Sequence, residues 1–395
     1  MSKLVVIIGA GFSRPVGLPL GNDIKERFDR DQREKLLNFS SGEWMWEDGK
    51  SKTDLHNGKI HNDWLTYSYV LNELIQSYKE EKGTFENYEL FYQFIIDNKS
   101  DKQLFENIYG KAKTKILEDY PSVGEFEPQY DGDVSPYLYR LSNDTGLKNI
   151  VDIINYLIGD LLGFSEAQFS NAIGEYEQFI EFINQYKEVE IFTLNHDLLL
   201  ERLLDAFGID YTRGFTIEES EIHYESEPLP VFRNNFDAPV RINKLHGSLD
   251  FFRFEHYEEQ GKPYLQPTGK YNYFTTMEYR AKHNAVRINP TSGEVAQDMN
   301  FDVVPKFITG TDKSEIIRND IMYAQLFSRF EEVVSHANKI LITGYSYRDV
   351  HINQELQKRS DLNIINQNPS SEYPFEANTL SHINSLMNLN QLLSK

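Results

Sequence analysis

The run Leu4-Val5-Val6-Ile7-Ile8, followed at once by Gly9-Ala10-Gly11, constrains this chain more than any other stretch. An unbroken apolar run rich in β-branched residues reads as a strand buried on both faces, as in parallel sheets. The glycines read as a tight turn into a loop or helix start. Such a turn points backbone N–H groups outward, and with a following helix N-terminus they suit a pyrophosphate. The dinucleotide fingerprint G-x-G-x-x-G would put its third glycine where this chain has Arg14, which weakens a plain dehydrogenase reading.

The same grammar of strand, polar tip and helix recurs downstream. Val189–Leu194 ends in Asn195-His196-Asp197 before a helix over Leu198–Phe207, and Val240–Leu245 ends in His246-Gly247-Ser248. Lys339–Thr343 follows a helix over Tyr323–Ala337 and ends in Gly344-Tyr345-Ser346, and Leu362–Ile365 ends at Asn366. Polar residues just past the C-terminal ends of parallel strands are where open α/β sheets bind ligands. Five such tips imply an α/β fold, a Rossmann-like parallel sheet with helices on both faces.

Between Ile8 and Val189 no strand is expected. Helical spacing of apolar residues predicts helices over Asn22–Arg33, Tyr67–Glu81, Phe85–Asp97, Lys102–Asp119, Ile150–Leu162 and Tyr176–Tyr186. Gly42–Asn62 reads as a loop, with Trp44, Trp46 and Trp64 as isolated anchors, and Pro121–Pro136 reads as a break. Residues 36–149 are therefore expected to be a helical module inserted into a discontinuous domain formed by 1–35 and 150–395. The stripe Phe85, Tyr88, Phe91, Tyr92 and Ile95 reads as packing surface. Phe251–Asp312 reads as a small strand-and-loop subdomain or a lid, and Thr379–Lys395 as a last helix.

Composition narrows the function. The net charge of −21 over 395 residues argues against general nucleic-acid affinity, which needs clustered Lys and Arg. Zero cysteines remove disulfides, a thiol nucleophile and every Cys-ligated zinc site. No uncharged apolar stretch approaches a membrane span, and no leader is recognised, so a soluble, cytoplasmic protein is expected.

Four segments in order resemble the sirtuin superfamily. Gly9-Ala10-Gly11-Phe12-Ser13 with Gly17-Leu18-Pro19 resembles its pyrophosphate loop; Thr193-Leu194-Asn195-His196-Asp197 resembles T-Q-N-x-D; Lys244-Leu245-His246-Gly247-Ser248 resembles the catalytic L-H-G; Gly344-Tyr345-Ser346 resembles G-T-S. Asn366 resembles the asparagine that ends the next strand and meets the adenosine ribose. The resemblance implies NAD as substrate, contacted by Gly9, Ala10, Gly11, Ser13, Arg14, Asn22, Gly344, Ser346 and Asn366, with Asn195, Asp197 and His246 catalytic. It implies no zinc and no other metal, because the four-Cys module of the deacylases is absent, and that absence puts acyl-lysine recognition in doubt.

The variant G-A-G-F-S-R together with Gly344–Asn353 resembles bacterial sirtuin-like NAD-consuming enzymes of anti-phage defence. That resemblance implies an NAD+ glycohydrolase, a homo-oligomer, and pairing with a HerA-like hexameric ATPase. Direct nucleic-acid or membrane binding is not implied. The alternatives are a zinc-free deacylase or ADP-ribosyltransferase, and a module that senses NAD or ADP-ribose without turnover.

The chemistry explains the residue types. Cleaving the nicotinamide–ribose bond passes through an oxocarbenium-like sugar, so the site must orient the amide, exclude stray water and place a base near the ribose hydroxyls. Asn195 suits the ribose or an ordered water, Asp197 can hold a carboxamide NH2, and His246 is the natural base. His196 is expected to be structural. Ser346 is expected to meet a phosphate or the adenosine ribose, to cap a helix beginning near Tyr347, or both.

Overall fold

The computed structural model describes residues 3–33, 36–38, 43–46, 63–98, 101–119, 144–259, 265–288, 293–296, 304–310, 313–369 and 371–392. They divide into two compact units. One comprises Met1–Leu18, Phe164–Ile308 and Lys313–Lys395, the other Pro19–Gly163 and Thr309–Asp312. The insertion expected at 36–149 lies within the second.

The first unit is built on seven strands: β1 (Lys3–Ile8), β2 (Glu188–Thr193), β3 (Tyr211–Thr212), β4 (Val240–Lys244), β5 (Lys339–Thr343), β6 (Asn363–Gln367) and β7 (Thr379–Ile383). Their order is β7-β6-β5-β1-β2-β4-β3, and every pairing is parallel. Helices cover both faces, which makes this a Rossmann-like α/β fold. Alternation along β1 shows why both faces are apolar. Val5 and Ile7 pack with Ile340, Ile342, Ile364 and residues of the helices Ile321–His336 and Val350–Gln357. Leu4, Val6 and Ile8 pack on the other side with Ile191, Ile242, Leu341 and the helices Glu166–Ala172, Glu177–Ile183 and Leu199–Ala206.

One departure lies in this unit, and the strands expected from 251 onward are present. The tail expected to be a helix forms β7 and then a short 3-10 helix, Leu386–Leu392. As an edge strand β7 buries only Ile383, so it shows no strand-like apolar run, and Leu386 and Leu389 imitate helical spacing. The polar segment from 251 onward joins residues from 214 onward in two four-stranded sheets. The long hairpin Phe251–Glu259/Leu265–Thr275 carries Phe252, Phe254 and Phe274 into a cluster with Ile222 and Val231.

The second unit is mostly helical, with helices Gly21–Phe28, Asp63–Lys82, Tyr88–Asp97, Lys102–Asp119 and Asp144–Leu161. Side-chain caps set two of the starts: Asn87 accepts from the Leu90 N–H at 2.8 Å and Asp101 from that of Leu104 at 2.9 Å. The first helix ends at Phe28 rather than Arg33. A hairpin of Leu36–Asn38 with Trp44–Trp46 corrects the expectation of no strand here. Three-residue strands fall below any periodicity window. Trp46 donates from its ring N–H to the Leu157 carbonyl at 3.2 Å and packs edge-on against Phe28, so it is core rather than an anchor in a loop. Phe85, Phe91 and Ile95 are buried, while Tyr88 and Tyr92 are half-buried. The break expected at Pro121–Pro136 lies outside the described residues, as does the side chain of Trp64. No helix among the described residues is long and apolar enough to cross a membrane.

Candidate functional site

Parallel strands put all their C-terminal ends on one rim. From β1 the chain steps outward to β2, and from β5 it steps the opposite way to β6, so the adjacent pair β1 and β5 forms the switch point at which such sheets bind ligands. Here the two tips touch backbone to backbone. The Gly9 N–H donates to the Thr343 carbonyl at 3.0 Å, Gly11 to that of Gly344 at 2.9 Å, and Phe12 to that of Gly9 at 3.0 Å. Gly344 has φ +63°, and a Cβ there would fall on the Gly11–Phe12 peptide. Glycine is therefore required for the strand tips to close on each other, and the amides of Gly9 and Gly11, both expected to contact NAD, are taken by protein carbonyls. The turn continues into the 3-10 helix Ala10–Val16.

That helix delivers Ser13, 1% exposed, into the rim. Its hydroxyl donates to Asp197 Oδ2 at 2.9 Å and accepts from Asn195 Nδ2 at 3.0 Å. The second oxygen of Asp197 accepts from the Leu199 N–H at 3.0 Å, tying the site to the helix Leu199–Ala206. The Asn195 N–H donates to Thr193 Oγ1 at 3.1 Å. No described residue engages Asn195 Oδ1. Burial raises the Asp197 pKa, and it outweighs the opposing pull of Lys244, the Leu199 N–H and the Ser13 hydroxyl.

His246 follows β4 and is 3% exposed. Its Nε2 lies 3.1 Å from Nε2 of His351 and 3.9 Å from Asp349 Oδ1. Lys313 Nζ bonds that same carboxylate oxygen at 2.9 Å. Burial, followed by Lys313, His351 and His196, holds His246 far below the ordinary imidazole pKa, so the ring is neutral. His351 is lowered too, first by burial, with Asp349 opposing. His196 packs at a tilt against Phe307, with ring centroids 4.7 Å apart, and is pushed down to about 3 by burial and then by Lys313 and Lys244. It is a packed neutral ring.

His246, Asp349 and His351 each offer one donor atom, and these lie within 4.8 Å of one another. The spacing alone would admit a metal ion, but the Lys313 ammonium already supplies the positive charge against the carboxylate. Beside this cluster, Lys244, 2% exposed, donates to the Asp197 carbonyl and pairs with Glu201 at 3.2 Å. Arg213 bridges Glu201 at 3.4 Å and Asp250 at 2.7 Å. Asp250 also accepts from Ser248 at 2.6 Å and Thr275 at 2.5 Å. Burial works to raise the Asp250 pKa, but Arg213, Lys244 and the two hydroxyls overcome it and hold it below the usual range. Sequence reasoning missed this chain of charges. Its local signal in β4 was Lys244, a charged residue at the position where the alternation begun by Val240 and Ile242 calls for an apolar one.

The other expected contacts are placed differently. Ala10, Arg14 and Ser346 are exposed, and Asn22 lies in the helix Gly21–Phe28 of the second unit. Ser346 is not a helix cap: the next helix starts at Val350, with Asp349 at the N-cap position. Asn366 lies within β6 rather than beyond it, and its side chain is fully engaged. Its Oδ1 accepts from Tyr347 at 2.7 Å and Asn368 at 3.0 Å, and its Nδ2 donates to the Ser371 carbonyl at 3.0 Å.

Asn195, Asp197 and His246 thus stand on adjacent strand tips, within a stretch that also ends on β5 and β6. Residues 189–369 match the SIR2-like domain. The match opens in β2, closes just past β6, and includes Asn195, Asp197, His246, Gly344 and Asn366. No curated protein matches the chain. Among solved structures, the crystal structure of a Sir2 homologue–NAD complex aligns over 65% of this chain and 75% of that one, at 15% identity and a TM-score of 0.31.

Proposed function

We propose that the SIR2-like region hydrolyses NAD+ to nicotinamide and ADP-ribose. The observation that carries this reading is the joining of Ser13, Asn195 and Asp197 by hydrogen bonds from two strand tips, with the neutral ring of His246 on the third. A buried carboxylate, an amide with a disengaged oxygen and an uncharged imidazole are groups that can position and deprotonate a water or ribose hydroxyl in N-glycosidic hydrolysis. The bond between nicotinamide nitrogen and ribose breaks, its electron pair leaves with nicotinamide, and water supplies the oxygen at the sugar carbon. His246 takes the proton lost by that water. Asn195 Oδ1 orients the water or a ribose hydroxyl, and Asp197 fixes Asn195 through Ser13.

The remaining parts of the reading rest on the resemblance of Gly9–Arg14 and Gly344–Asn353 to defence enzymes. An NADase of this kind depletes the NAD of its own cell, so its activity is held down until infection. We assign that control to self-assembly or to a HerA-like ATPase, with the exposed Ala10, Arg14 and Ser346 on the adenosine-diphosphate side of the ligand.

Nicotinamide release by the purified protein, alone and with a co-encoded ATPase, tests the reading. Asn195→Ala and His246→Ala are expected to lower release by about 10²–10⁴-fold, the usual range for a positioned acid–base group. Binding of NAD by calorimetry with no release in any condition would instead support the sensor. Transfer of ADP-ribose to a protein acceptor, or loss of an acyl group from a peptide, would support the other enzyme classes.

A further inference from the structure

The contact between His246 and His351 is not accounted for by any role given so far. His351 sits in the first turn of the helix Val350–Gln357, far from β4 in sequence, yet its Nε2 meets Nε2 of His246 at 3.1 Å inside the protein. Two imidazole nitrogens at that distance need one N–H and one lone pair, so the tautomers of the two rings are locked together. There are two ways to satisfy them.

If His351 donates, His246 carries its own proton on Nδ1 and has no lone pair left for substrate. If His246 donates, its Nδ1 carries the lone pair. No described residue engages that nitrogen. Only the second arrangement gives His246 a free basic nitrogen.

The surroundings favour passing a proton onward rather than keeping it. The groups around His246 are His196 from the tip of β2, Lys313 from the helix Lys313–Asn319, and Asp349 with His351 from the helix that follows β5. Burial and then Lys313 oppose a positive charge on His246; burial is also the largest influence on His351 and lowers it, and there the Asp349 carboxylate, ahead of Lys313, offsets part of that opposition.

We propose that His351 is a positioning residue for the NAD cleavage, fixing His246 as the Nε2–H tautomer and accepting that proton when Nδ1 takes one from the attacking water. The proton balance closes in three moves. Water gives a proton to His246 Nδ1, His246 Nε2 gives one to His351 Nε2, and His351 Nδ1 releases one toward solvent. Lys313 holds the Asp349 carboxylate beside the contact, with Oδ1 3.9 Å from His246 Nε2. This role rests on the hydrolase reading above, but the tautomer it requires does not.

Two measurements test it on the full chain. The first is the 15N side-chain spectrum of histidine-labelled protein without NAD. It is expected to show His246 protonated at Nε2 and bare at Nδ1, a pattern lost in His351→Ala. A His246 protonated at Nδ1 overturns the proposal, whether or not the protein turns over NAD. The second is kinetic. His351→Ala is expected to lower kcat about 10–100-fold with KM changed less than about threefold, below the full effect of an acid–base group. Its pH–rate profile should shift, and added imidazole should restore part of the rate.

His351→Gln can still accept from His246 Nε2 without taking up the proton, so it should fall between the two. A His351→Ala variant with unchanged kcat and pH profile refutes the role. So does a loss that imidazole cannot restore and that comes with equal loss of NAD affinity, which would make His351 structural. If wild type releases no nicotinamide in any condition, the hydrolase reading fails and the spectrum alone decides the tautomer.

Discussion

Gly344→Ala separates packing from ligand contact at the β1–β5 switch point. A Cβ at residue 344 would stand 2.8 Å from Gly11 Cα and 2.5 Å from the Gly11 carbonyl carbon, which are backbone atoms with no rotamer to yield. The φ of +63° adds left-handed strain of about 1–2 kcal/mol for an L-residue. Relieving the overlap parts the two tips and weakens the bonds from Gly9 to Thr343 and from Gly11 to Gly344, each worth about 1 kcal/mol net. With about 1–3 kcal/mol for overpacking in an unyielding site, the total is roughly 3–5 kcal/mol. At about 2–4 °C per kcal/mol for a unit of this size, the melting temperature should fall by about 10 °C. The control is Gly174→Ala, where an added Cβ meets nothing within 4 Å; it should melt within about 2 °C of wild type. Both are followed by circular dichroism without NAD. If Gly344→Ala melts with wild type and loses only NAD binding, the glycine serves the ligand and the packing argument is wrong.

Other substitutions probe the buried polar chain. Asp250→Asn leaves the Arg213 guanidinium facing a neutral partner and should destabilise by about 3–5 kcal/mol near neutral pH, read by urea unfolding. The Asp250 pKa is lowered on folding, so its contribution is present above the unfolded carboxyl range and is lost as pH falls through the folded value. The gap between variant and wild type should therefore shrink below about pH 4, and a gap constant with pH would refute the assignment. Asp197 has the opposite sign: its pKa is raised, so its contribution is greatest in acid and fades as pH rises through the folded value, and Asp197→Asn should flatten that decline. Tyr176→Phe removes the donor to the Phe12 carbonyl, made at 2.7 Å inside the core, and should lower stability by about 1–2 kcal/mol by the same assay.

Strand polarity made the rim legible in sequence. A β-branched run ending in a polar residue fixes both the strand and the end at which the polar group emerges, so Asn195, Asp197 and His246 were placed on one side of a parallel sheet without any contact being known. The rule needs burial on both faces, which explains where it stopped. β3 is two residues long and β7 buries one residue, so neither has an apolar run, and the sheet has seven strands where five were expected. The Trp44–Trp46 strand was unreadable for the same reason: a paired strand of three residues gains its stability from what it packs on, which local pattern does not encode.

The partners of the rim residues follow a different logic. Ser13 was legible as part of the Gly-rich turn, but not that its hydroxyl joins Asn195 to Asp197 across 182 and 184 positions of chain. Asp349 and His351 lie in the stretch Gly344–Asn353 that carries a resemblance, yet nothing in that stretch or around Lys313 signals that these residues meet His246. What selects them is charge balance in a buried place. On the proposed reading, a neutral base with an ammonium nearby needs a route for its second proton, and β5 and the helix after it bring His351 Nε2 within 3.1 Å of His246 Nε2. On the same reading, the strands decide where His246 stands, and the stretch from Gly344 to His351 decides what it can do with a proton. Changes in that stretch should therefore alter turnover and its pH profile more than they alter NAD affinity.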